Sequence, residues 1–154
     1  MSCSSIAILI AIAIPTFLGA RNRAQDRAAQ SSLRNALTAA KTAYTDKSDY
    51  STAATSAQLT LIEPSLKYEA GNAPSGTDTT VPSFKDVSVS VSDVTTGDSQ
   101  VWAAATLSKS GTCMYIKDTA TGGSAGTLYG TDPSPTATSC TGDNALTNAT
   151  ANSW

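Results

Sequence analysis

Apolar residues run without interruption from Ile6 to Ile14, stop at Pro15 and resume at Phe17 and Leu18 before the first charge at Arg21. Further on, the spacing changes. Leu33, Ala36, Leu37, Ala40, Ala43 and Tyr44 recur three and four positions apart, which predicts one face of an amphipathic helix from Thr16 to about Thr45. Arg21, Arg23, Asp26, Arg27 and Gln30 take the wetter side. Alanine is abundant there and glycine is absent after Gly19, so intrinsic preference agrees with periodicity. The helix is expected to end near "DKSDY", where Asp and Ser favour turns. Pro15 lacks an amide hydrogen and crowds the carbonyl of Ala11, so a break or kink is expected between about Ala7 and Pro15. Read generously, the apolar run is roughly 15 residues, or about 22 Å of helix, against a hydrocarbon core of about 30 Å. It is too short to span, and "MSCSS" lacks the basic start of a secretory signal.

Residues 48–83 read as a connector, with a short helix or turn at "SAQLTLIEP" and a loop at "YEAGNAPSGTDTTVPS". "DVSVSVSDV" then alternates valine with serine, the pattern of a half-buried antiparallel strand with Val87, Val89 and Val91 on one side. "QVWAAATL" and "TCMYIKD" read as two more strands joined by a tight turn at "SKSG". Beyond Lys117 the chain reads as loop. The expected fold is therefore α+β: a long N-terminal helix packed on a small antiparallel sheet, followed by a crosslinked C-terminal loop. Half of the helix covers the valine face. The other half has no complementary surface in its own chain, so Ile6, Ile8, Leu9, Ile10, Ile12, Ile14, Phe17 and Leu18 are expected to pack between subunits. Residues 1–20 then form an assembly segment and residues 21–154 a globular domain.

Composition sharpens this picture in three ways. Charged residues are only 14% of the 154, so Ser, Thr, Ala and Gly make a surface polar through hydroxyls. The net charge of −2 divides into +4 over residues 21–45 and −6 over residues 46–154, a basic helix beside an acidic remainder. Histidine is absent, which removes the commonest general base and metal ligand. Of the three cysteines, Cys113 and Cys140 lie in a region so poor in apolar residues that a disulfide is favoured over two buried thiols. Cys3 stays apart from it. No phosphate loop, CxxC or paired nucleophile and base is found, so no enzyme, cofactor or metal is expected. Asp132 and Asp143 could hold calcium, but solvated loop acids are the preferred reading. The Arg21/Arg23/Arg27 cluster reads as a charged helix face rather than a specific nucleic-acid site, and "NAT" at Asn148 is a glycosylation sequon by pattern only.

The stretch "IAIAIPTFLGARNRAQDRAAQSSLRNALTAAKTAY" resembles the N-terminal helix of bacterial type IV pilins and type II secretion pseudopilins. The resemblance covers about residues 6–45, in its order of aliphatic run, Pro15, aromatic–aliphatic pair and Ala-rich amphipathic helix; beyond that it is architectural. It implies a structural subunit of an extracellular pilus-like filament on the bacterial surface, held in the inner membrane before assembly. Its implied partners are copies of itself, the inner membrane and a pilus assembly machinery. A pseudopilin of a secretion system and a soluble binding module are the alternatives. Aligned on Pro15, "MSCSS" stands where the family has the middle of its apolar rod, and Ala7 where it has a glycine. Leader processing, N-methylation and the family's glutamate pairing are therefore not carried over.

Overall fold

The computed structural model describes the backbone of residues 3–78, 80–92 and 99–154, and the side chains of 18–78, 80–92 and 99–154. Helix α1 runs from Cys3 to Lys47. Ala29, Leu33, Ala36, Ala40 and Ala43 are buried along one side, with Leu37 and Tyr44 partly covered, as their spacing requires. The helix stops where Ser48 turns to φ 59° and its amide donates to the Tyr44 carbonyl at 2.7 Å. A left-handed residue directly after the last turn satisfies a carbonyl that the helix itself leaves open.

A short helix, α2 (Ser56–Ile62), leads into strand β1 (Lys67–Ala70), and β2 (Asp86–Ser92), β3 (Val101–Leu107), β4 (Cys113–Thr119) and β5 (Gly126–Asp132) follow. The strands lie in sequence order across one sheet. β2 to β5 pair antiparallel, but β1 pairs with β2 in parallel, so the sheet is mixed. The expected three-strand meander corresponds to β2–β4, and the structure adds a strand at each edge. β1 falls in a segment read as loop, because four residues are too few to show a period. β5 was hidden by its two glycines and two threonines.

The two faces of the sheet carry different layers. Val87, Val89, Val91, Trp102, Ala104, Met114 and Ile116 pack against α1. Ala103, Ala105, Cys113 and Tyr115 face the other way, onto α3 (Gly142–Asn148) and the Cys140 segment. The serine side of β2, expected to be wet, is covered: Ser88 is fully buried, and its Oγ accepts from the Gly142 amide at 2.9 Å. Small side chains let α3 come this close. The α3 N-terminus is capped by Thr141, whose Oγ1 accepts from the Asn144 amide at 3.1 Å.

Among the described residues no helix is long and apolar enough to cross a membrane. This corrects the expected inner-membrane stage, and with it the pilus-like filament, the self-assembly and assembly-machinery partners, and the extracellular-filament location. All of them rest on an apolar assembly helix. The uncharged run ends at Arg21, roughly 15 residues long where about 20 are needed. The helix continues through Pro15. The expected bend there, and the packing of Ile6, Ile8, Leu9, Ile10, Ile12, Ile14 and Phe17, lie outside the residues whose side chains are described; Leu18 is exposed.

Candidate functional site

A concavity of about 540 Å³ lies where the last turns of α1 meet the β4–β5 turn. Lys41, Tyr44 and Thr45 reach it from one side of the helix, three and four residues apart. Tyr50 enters from the segment after α1, and Asp118, Thr119, Ala120, Ala125, Gly126 and Thr127 form the opposite wall.

Asp118 organises this wall. In β4 it shares the α1-facing side with Met114 and Ile116, so a carboxylate is carried inward and almost fully buried. Burying a charge without partners is prohibitive, and Asp118 has three. Its Oδ1 pairs with Lys41 Nζ at 3.0 Å and accepts from Thr127 Oγ1 at 2.6 Å; its Oδ2 accepts from the Tyr50 hydroxyl at 2.6 Å. Burial first, and the Asp118 carboxylate second, push the Tyr50 phenol well above its ordinary range, so it stays protonated and keeps its proton to donate to Asp118. Tyr44 stacks beside it, with ring centroids 4.8 Å apart and planes tilted by 51°. The Tyr44 hydroxyl donates to Gln100 Oε1 at 2.9 Å, and Gln100 Nε2 donates to the Ser48 carbonyl at 3.1 Å. The cleft is thus braced to the helix end.

This arrangement has rigid recognition groups and little to react with. The carboxylate's oxygens are occupied by protein donors and the buried phenol holds its proton. Lys41 is half-exposed, so its ammonium can offer further donors to the cleft beyond the one given to Asp118.

None of these residues stood out as a site in the sequence. A charged residue at an inward strand position, Asp118 in step with Met114 and Ile116, is the signal that could have pointed there. The residues singled out from sequence lie elsewhere. Cys113 and Cys140 are joined in a disulfide, Cα atoms 5.6 Å apart, beneath α3. Asp143 Oδ1 accepts from Ser90 Oγ at 2.6 Å, and Asp132 Oδ1 accepts from the Ser134 amide at 3.0 Å. Among the described residues no group of three or more metal-ligating side chains comes together. Comparison with family models, with curated proteins and with solved structures finds no match to this chain.

Proposed function

We propose that this chain is a non-enzymatic binding module whose α1/β4–β5 cleft takes a small hydroxyl-rich ligand of the saccharide class. The observation that carries the reading is the Asp118 network. It ties Lys41, Tyr50 and Thr127 into a fixed wall and leaves the cleft lined by the partly covered Tyr44 ring, threonine hydroxyls and an ammonium, with the buried Tyr50 behind them. An aromatic face suits the apolar face of a sugar ring, and preorganised donors suit its hydroxyls. Bracing by Gln100 and Ser48 limits the ordering cost of binding. We infer as well that the fold is pilin-like. The supports are the N-terminal sequence pattern and the long helix laid across a largely antiparallel sheet.

Titration with a panel of neutral and acidic mono- and disaccharides, followed by amide shifts in nuclear magnetic resonance, tests the proposal. Saturable shifts are expected at Tyr50 and along 118–127, and Tyr44→Ala should weaken them about tenfold. A panel that leaves those amides unmoved up to tens of millimolar would overturn it.

A further inference from the structure

A second pocket, of about 410 Å³, opens beside the middle of α1 and differs in chemistry from the cleft. Its roof is a helix stripe in which Arg23, Arg27 and Gln30 follow at spacings of four and three, with the Asp26 carboxylate among them. Its floor is Met114 and the half-buried Trp154, with Thr131 at the side. The indole is fixed before any ligand arrives. Its Nε1 donates to the carbonyls of Tyr115 (3.1 Å) and Gly130 (3.2 Å), Tyr129 packs on it at 4.4 Å, and the Arg34 guanidinium lies 4.8 Å from its ring centroid.

The charges in this pocket are unbalanced. Among the described residues no carboxylate lies within ion-pairing distance of Arg23, Arg27 or Arg34; the ion pairs found involve Lys41 and Lys67. Asp26, the acid on the same stripe, accepts a hydrogen bond from the Ser110 hydroxyl. Arg23 and Arg27 against Asp26 leave the lining with a charge of +1 above an apolar floor, and Arg34 adds a further guanidinium over the indole. Guanidinium forks match tetrahedral oxyanions in two-point geometry, and an aromatic floor accepts a flat ring.

We propose that this pocket binds an oxyanion ester, a phosphate or sulfate monoester of a small ring-bearing molecule. Arg23 and Arg27 take the anion, Gln30 and Thr131 add neutral hydrogen bonds, and the ring lies against Trp154 and Met114. The site is separate from the cleft and stands whether or not a saccharide binds there.

The test uses phenyl phosphate, phenyl sulfate and the neutral isostere phenol at constant ionic strength. The readout is the Trp154 indole N–H signal with the amides of Thr112 and Thr131. Either ester should give a saturable shift and phenol a much weaker one; the stronger ester identifies the anion. Arg23→Gln with Arg27→Gln, both at exposed positions, should weaken ester binding at least about tenfold while leaving the remaining spectrum folded. Lys47→Gln, at an exposed position at the far end of α1, should leave ester binding unchanged. Equal binding of phenol, an unaffected double variant, loss of binding in Lys47→Gln, or no shift with either ester would each overturn the proposal.

Discussion

At the scale of single residues, two positions show how closely the sheet's second face is filled. A Cβ at Gly142 would stand 2.7 Å from both the Ser90 nitrogen and the Val89 carbonyl carbon, main-chain atoms that cannot rotate away. Gly142→Ala should therefore lift α3 off β2 and cost about 1–3 kcal/mol, read from urea denaturation. An unchanged midpoint would mean that α3 is free to shift. Asp86, fully buried on the same side of β2 as Ser88, makes a different case. Its Oδ2 accepts from the amides of Gly76 (2.8 Å) and Asp78 (3.4 Å), while Oδ1 meets no donor among the described residues. Burial raises its pKa above the ordinary 3.8, outweighing those two amides and Lys67, with Glu69 adding to the rise. A carboxyl whose folded pKa is raised contributes fully below its unfolded pKa and loses that contribution as pH rises through the folded value. Asp86→Asn should thus melt higher than the parent at neutral pH, with the gap closing below about pH 4. A parent more stable at neutral pH would show that the buried charge is wanted.

Among the elements, the β4–β5 hairpin and its crosslink form one unit. Cys113 sits opposite Asp132 in the ladder, and Cys140 lies only eight residues beyond that partner. In an unstructured chain the bond closes a loop with a sequence separation of 27, which is worth about 3–4 kcal/mol by the chain-entropy estimate. If the hairpin persisted in the denatured chain, the effective loop would shrink to those eight residues and the value to about 2.5 kcal/mol. Cys113→Ser with Cys140→Ser is expected to fold and to lose about 3–4 kcal/mol in urea denaturation. A loss below about 1 kcal/mol would show that the bond adds nothing beyond what the α3 layer already holds. The element itself was only half legible. Cys113 lies in a strand whose apolar residues announce it, whereas β5 is built from Gly126, Thr127, Gly130 and Thr131, residues that read as loop until β4 supplies the partner.

Across the whole molecule, legibility follows the size of the side chains. The α1 layer was readable because Leu33 and its alanines, and the valines of β2, are apolar at a clear period against polar neighbours. The α3 layer was not, because serine, alanine and glycine make its contacts, and small residues give the same pattern wet or buried. The cleft escaped notice because Lys41, Tyr50, Asp118 and Thr127 come from separate segments that only the sheet brings together. This unequal distribution of large side chains also makes the molecule optically one-sided. Trp102 lies wholly within the α1 layer, and Trp154 packs against it under Arg34. The α3 layer contains no tryptophan; Tyr115 is its aromatic. Indole emission therefore reports the docking of α1 and passes over the loosening of α3, so a melt followed by fluorescence alone records only one of the two layers.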